Sequence, residues 1–483
     1  NPNRKTPYSK QTTLLLGIIC ILKPRNEALY RTVVCNYDKN PEMKKTVLFF
    51  FILFTNIILG QIPNELSNEE KIFGLSKFWQ EVNYNFIYFN NVNQAEWNNL
   101  YKKYIVDVQK TQNDYEYYRL LQKFCAYLKD GHTNVFFPKN IRDSIFNTNF
   151  GEYRLFLTNV EGRAIVTRVN EKKRIEIPIG TEVISVNGLT TRDYINQNVK
   201  PYISSSTNHI LEDLSVSQML QGYVGSTYTL ELKLPNGSLK KLTVTHSRTE
   251  EKEVFPEFQD DDLISIEWYE KDIAYVALNS FANWEISSQF NELKPQLKKA
   301  SALIIDLRRN GGGNSRIGKV ILHHLTNDTI FYGAKTQSRL HIPTLKAWNQ
   351  DKYYYDFQYS PDTLGIGDRN LLRNNRIIIP TAILIGHGTA SAAEDFLIYA
   401  DNQKHMIKIG EPTYGSTGQP LTFELPKGGM ARVCTKKDTY PDGRVFVGIG
   451  IQPDILVKKK LADYIHNNDP VLEKAVKYLK TKI

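Results

Sequence analysis

The sequence predicts a multidomain α/β protein. It divides into a helical region over residues 61–149, a β-rich module over 150–248, a linker over 249–263 and an α/β core over 264–483. Two observations carry this reading. The chain has 483 residues, too many for one hydrophobic core. Its apolar periodicity also changes twice: three-and-four spacing up to about residue 130, alternation after about 160, then strand-like runs alternating with helical ones. Hydrophobic residues make up 41% and charged residues 23%, which excludes a disordered or fibrous chain.

The N-terminal end reads as a processing segment. Met43 opens "MKKTVLFFFILFTNIILGQ", in which two lysines precede an apolar run ending near Gly60. That order is the pattern of a secretory signal peptide over residues 43–60, and the run is shorter than the ~20 residues of a membrane span. Residues 1–42 are therefore expected to be missing from the mature protein, which would be exported, periplasmic or extracellular. The formal charge of +10 is also mostly a property of this end. Beyond residue 45 there are 52 Lys/Arg against 48 Asp/Glu, so no nucleic-acid partner is implied. Cys125 and Cys434 are far apart and read as core residues, not as a metal cluster. No metal or other cofactor is expected.

In the helical region, Ile72, Leu75, Trp79, Val82 and Phe86 share one face. A further helix is expected after Asp114 as N-cap, with Tyr117, Leu121, Phe124 and Leu128 inward. It would stop at Asp130-Gly131, with Gly131 as left-handed C-cap. In the β-rich module, "RAIVTRV" (163–169), "EVISVNG" (182–188), "TLELKLPNG" (229–237) and "KKLTVTH" (240–246) read as strands with Asn-Gly turns, interrupted by an insertion at 195–224. The stretch "IPIGTEVISVNG" resembles the middle of a PDZ domain, a module that takes up extended peptides by strand addition. In the core, "IAYVAL" (273–278), "ALIIDL" (302–307) and "TAILIG" (381–386) read as strands, and 284–300, 316–325, 391–401 and 469–479 as helices.

The glycines after "ALIIDL" raise one alternative. Gly313 to Lys319 nearly completes a phosphate-binding loop, but Val320 stands where that loop needs Ser or Thr to hold magnesium. A nucleotide site is not expected. The segment "ILIGHGTASAAEDF" (383–396) carries other chemistry. Its strand ends, and Ser391 then opens a helix among small side chains, where backbone N–H groups and the helix dipole favour a developing oxyanion. A serine there is also an ordinary N-cap, so this segment alone decides nothing.

Five segments in order do decide. "LKDGHTNVFFP" (128–138), "DLRRNGGGN" (306–314), "TASAAE" (389–394), "GEPTYG" (410–415) and "GIQPDI" (450–455) together resemble the carboxyl-terminal processing, or tail-specific, serine peptidases, in particular the tricorn-core and interphotoreceptor-retinoid-binding branch. The resemblance spans roughly residues 66–480. It implies a ClpP/crotonase-like core, Ser391 as nucleophile, and Gly312 or Gly313 with Ala392 as oxyanion donors. Asp306, Arg308 and Asn310 would brace the glycine turn, while Glu394 and Glu411 would support the structure. The Ser–Lys branch has its lysine 25 residues after the serine; here that position is Ser416. The implied general base is therefore His132, expected within hydrogen-bond reach of Ser391, with His387 as a competitor. Val447 and Gly448 stand where the tricorn-like site has its orienting carboxylate, so that group is either missing or supplied from elsewhere in the chain. The implied partner is a peptide or an unfolded chain end. The alternative is a catalytically inactive peptide- or ligand-binding protein on the same scaffold.

Overall fold

The computed structural model describes residues 65–258 and 262–340, a few positions between 347 and 359, and residues 367–483 apart from 371 and 373. The expected signal peptide, the residues before it and part of the linker lie outside the described residues. From Leu66 onward the described chain is one compact unit of mixed α/β structure.

Three helices open it: α1 (Asn68–Asn85), α2 (Gln94–Gln109) and α3 (Asp114–Ala126). Ser67 and Glu70 form a reciprocal capping box at the start of α1. The inward faces of the three helices bury Leu75, Phe78, Val82, Trp97, Tyr117, Leu121 and Phe124 in one cluster, where Trp97 stacks on Phe124 at 4.2 Å. Two expectations need correction. Asn113, not Asp114, is the N-cap of α3. The Asp114 carboxylate instead accepts Leu66 N and Lys427 Nζ, tying the helix to distant chain. The helix also ends at Ala126, and Lys129, not Gly131, takes the left-handed conformation.

The next sheet is antiparallel, in the spatial order 239–245, 227–233, 182–186, 163–170, 153–160, 149–150. Asn187 and Gly188 both have positive φ in the turn after 182–186, which is why an Asn-Gly pair occurs there. The strand Tyr153–Val160 was not legible, because its polar outer positions break the apolar run. The expected insertion carries α4 (Asn208–Ser217).

The core sheet runs β1 (Ile264–Tyr269), β2 (Ile273–Leu278), β3 (Ala302–Asp306), β4 (Thr381–Ile385), β5 (Met406–Gly410) and β6 (Ile455–Leu456). β1 and β2 pair antiparallel and the rest parallel. Every residue of β3 and β4 is buried, as continuous apolar runs in a sheet covered on both faces require. Leu303, Ile305, Ile383 and Ile385 face α5 (Glu285–Leu297), α6 (Ser315–Leu322) and α7 (Ala392–Ala400). Ala302, Ile304, Ala382 and Leu384 face α8 (Pro470–Leu479). The parallel direction brings the loops after β3, β4 and β5 to one end of the sheet, where such folds place their ligands.

Candidate active site

The glycine turn after β3 and the start of α7 meet at that end. Arg308 makes a double ion pair with Asp306 at its base and with Asp469 before α8. The fully buried Asn310 donates to Leu278 O, accepts Gly312 N through Oδ1 at 3.0 Å, and takes Ala390 N on its own carbonyl. Asn310 thereby ties three segments together, two through its side-chain amide and one through its backbone carbonyl. Gly312 and Gly313 have φ of +97° and +136°. A Cβ on Gly312 would lie 2.7 Å from the Ser391 Cβ, and one on Gly313 would lie 2.3 Å from the Phe281 backbone. Glycine is needed at both for conformation and for close approach.

Ser391 sits in a strained turn, with φ 56° and ψ −118°. This strain could not be read from sequence. Ser391 N donates to Glu394 Oε2 at 3.0 Å, and Ala393 and Glu394 return hydrogen bonds to Ala390 and Ser391 carbonyls. The backbone N–H groups of Gly313 and Ala392 keep no acceptor within the described protein, whereas that of Gly312 is taken by Asn310.

Glu394 is fully buried and accepts four donors: Ser391 N, Thr413 Oγ1, Gly415 N and Ser416 N. Burial pushes its carboxyl up to about 7, against the pull of those donors. This carboxylate bridges the start of α7 to the loop after β5, so Ser416 is held against the Ser391 turn.

His132 reaches the same place from the helical region. Its Nδ1 lies 2.7 Å from Ser416 Oγ. No hydrogen bond joins His132 to Ser391 Oγ. Burial, followed by the charges of Arg432 and Lys436, lowers the His132 pKa to about 4, so the ring is neutral at pH 7. Gly131 is required beside it because a Cβ there would lie 2.8 Å from the Tyr414 ring and 3.0 Å from Ser416 Oγ. Ser416 Oγ continues to Ser206 Oγ at 3.2 Å, and Ser206 Oγ donates to Asp130 Oδ1 at 3.3 Å. Asp130 is buried and also accepts the Thr133 hydroxyl at 2.6 Å. Ser416 was singled out in the sequence only as the position that lacks a lysine, and Ser206 and Asp130 were missed. Ser206 lies in the insertion of another sheet, and nothing local marks it.

The two other sequence candidates lie together elsewhere. His387 Nδ1 pairs with Asp213 of α4 at 2.5 Å and packs against the His209 ring at 4.5 Å. Burial opposes its protonation, yet the Asp213 carboxylate holds its pKa above the ordinary value. His387 and Glu411 line a cavity of about 620 Å³ that also holds Arg308 and Asp306. Burial raises the Glu411 pKa. Cys125 and Cys434 are buried free thiols.

This arrangement provides a strained serine at a helix start, unpaired N–H groups beside it, and a neutral buried histidine linked to a carboxylate. Residues 272–457 match the family model described as peptidase family S41. The chain is 24% identical over 420 residues to a carboxyl-terminal-processing protease of Picosynechococcus sp., covering 86% of this chain and 89% of that protein. It is 27% identical over 259 residues to the chloroplastic carboxyl-terminal-processing peptidase 2 of Arabidopsis thaliana, covering 52% and 44%. Among solved structures, mature CPAF superposes with a TM-score of 0.63 at 14% identity, covering 86% of this chain and 96% of that one, a likeness of fold.

Proposed function

With residues 272–457 forming a peptidase family S41 core and the chain a protease hydrolase acting on peptides or proteins, we propose that it is a serine peptidase in which Ser391 is the nucleophile and His132 the general base. The observation that carries this is that the buried Glu394 carboxylate holds both the Ser391 turn and Ser416, while His132 reaches the Ser416 hydroxyl. Ser391 Oγ would attack the scissile carbonyl while His132 takes its proton, and the imidazolium would then protonate the leaving amine. Gly313 N and Ala392 N would receive the oxyanion.

The orienting carboxylate that the sequence lacks near Val447 is, on this reading, Asp130. Burial raises the Asp130 pKa against the pull of the Thr133 and Ser206 hydroxyls, and in its ionised form Asp130 only accepts. It therefore draws the Ser206 proton, Ser206 draws that of Ser416, and Ser416 accepts from His132 Nδ1–H. Such a polarity leaves the lone pair on Nε2, the nitrogen a general base must present. Ser391 and His132 are not hydrogen-bonded without substrate, and such contacts commonly tighten only when substrate is bound. We read the antiparallel module of residues 150–248 as PDZ-like, holding an extended peptide, and the protein as exported, with its mature chain starting near Gln61. Among the described residues no helix is long and apolar enough to cross a membrane.

The test is a fluorophosphonate probe with a set of unstructured peptides. The parent should take label and cleave peptides, Ser391→Ala should do neither, and His132→Ala should lose nearly all turnover. A parent that takes no label and cleaves nothing, yet binds extended peptides, is the inactive binding protein instead. Intact-mass analysis of protein from its natural host reads the N-terminus directly.

A further inference from the structure

A second cavity, of about 770 Å³, opens beside His132, where the three parts of the chain meet. Gly131 and Tyr414 form the wall it shares with the candidate active site. Its other walls come from α3, from the insertion that holds Tyr202, and from the hairpin strand Gly429–Val433. The charge of its lining is one-sided. Arg119, Lys139, Arg142 and Arg432 line it, and no acidic residue does. The chain beyond residue 45 is nearly balanced in charge, so four cations without an anion are a local feature.

Two of these cations are built in. Arg119 Cζ lies over the Tyr202 ring, 3.9 Å from its centroid, and the guanidinium donates to the neutral Gln122 side chain. Arg432 is held by Asn134 Oδ1 and Gly131 O, again neutral acceptors. Neither has an ion-pair partner among the described residues. Partly burying a guanidinium disfavours its charge, and burial does lower the pKa of both. Arg432 has the buried Asp130 carboxylate within electrostatic reach but makes no direct ion pair with it, and Arg119 has no carboxylate beside it, so the cleft has room for an external counter-charge. A guanidinium fork fixed by a ring and an amide is also suited to a planar carboxylate. Around the cations, Phe136, Met430 and Leu214 offer apolar surface to the rest of a bound chain.

From this lining we infer that the cleft is a specificity pocket for a carboxylate of the peptide substrate, held by Arg119 and Arg432 next to the base. The inference rests on the proposed peptidase reading. The carboxylate is either an acidic side chain or the terminal carboxylate of the cleaved chain.

Two sets of internally quenched peptides separate these sources. In the first, the C-terminus is amidated and a single Glu is walked along the chain, each peptide paired with its Gln analogue. In the second, the same Gln peptides carry a free C-terminus. An acidic side-chain pocket makes one Glu peptide better than its Gln partner in kcat/KM by about tenfold or more, as expected for a charge-assisted pair. A terminal-carboxylate pocket gives that advantage to the free C-terminus over the amide. In either case Arg119→Gln should bring the ratio toward one, and Arg119→Glu should reverse it in favour of a Lys peptide. The preference should also fade as salt is raised, which needs no variant. Equal rates for every pair in the parent, or a ratio unchanged in Arg119→Gln, overturns the inference while leaving the peptidase intact. If nothing is cleaved, fluorescence anisotropy of the same peptides on Ser391→Ala decides it: Glu and Gln, free and amidated, binding alike would end it.

Discussion

His132 and Ser416 are 284 positions apart in the chain, and His132 Nδ1 lies 2.7 Å from Ser416 Oγ. The helical region thereby supplies a histidine to a loop of the α/β core. On the proposed reading this contact sets the tautomer of the base, so it should matter for rate more than for binding.

Ser416→Ala and Asp130→Asn should each lower kcat by roughly tenfold or more while KM moves little, because each leaves a buried polar group unpaired in the chain that orients His132. Steady-state kinetics with a single quenched peptide measures this. Asp130→Asn should also shift the acid limb of the pH profile, since the carboxylate would no longer polarise the hydroxyls; a purely structural role would lower the amount of folded enzyme without moving that limb.

The pH profile itself is a separate test. The base must be neutral to accept a proton, so activity is present above the His132 pKa and lost below it. With that pKa lowered to about 4, kcat/KM should already be at its plateau where an ordinary histidine, at about 6.5, is half protonated. The same shift bears on stability. The unfolded histidine binds its proton at about 6.5 and the folded one only near 4, so its contribution is fully present above the upper value and is lost as pH falls through that window. Glu394, which holds the Ser391 turn and titrates at about 7, would give a limb of its own near there; a kinetic limb at 6.5 that persists in Glu394→Gln would mean that His132 is not the base, or is not buried during turnover.

Strain at Ser391 predicts a trade of activity for stability. Its φ of 56° is one that glycine adopts without penalty. Ser391→Gly should therefore raise the unfolding free energy by about 1 kcal/mol over Ser391→Ala, and on the proposed reading both should be inactive. Chemical denaturation of the two variants settles the sign. Equal or lower stability for glycine would mean that the turn is not strained.

The glycine turn distinguishes neighbours. Gly313→Ala would drive its Cβ into the Phe281 backbone, so a Gly313 replacement should cost the fold and not just turnover. Gly312→Ala should displace Ser391 and lose activity. Gly311→Ala, whose Cβ meets nothing within 4 Å, should be close to silent. Melting temperatures and rates for the three substitutions provide the check.

The segments that carry the core were legible because their determinants are local. A buried parallel strand must be continuously apolar, as Ala302–Asp306 and Thr381–Ile385 are, and a helix start after such a strand, as at Ser391, needs small residues around it. Gly312 and Gly313 announced a turn that no other residue can make. The strand Tyr153–Val160 and the N-cap Asn113 were missed or misplaced by local rules, since the first alternates irregularly and the second has an equally suitable neighbour in Asp114. The partners of His132 were beyond such rules altogether. Ser416, Ser206 and Asp130 come from three regions, and each is an unremarkable polar residue in its own stretch of chain. What joins them is burial: once the three regions close over one another, His132, Asp130 and Ser416 are withdrawn from water and their polar groups are satisfied by one another, by Ser206 and by Thr133. The sequence by itself determined the turn, the setting of Ser391 and the α/β core; the tertiary structure decided which groups the histidine touches, because that depends on distances the chain acquires only on folding.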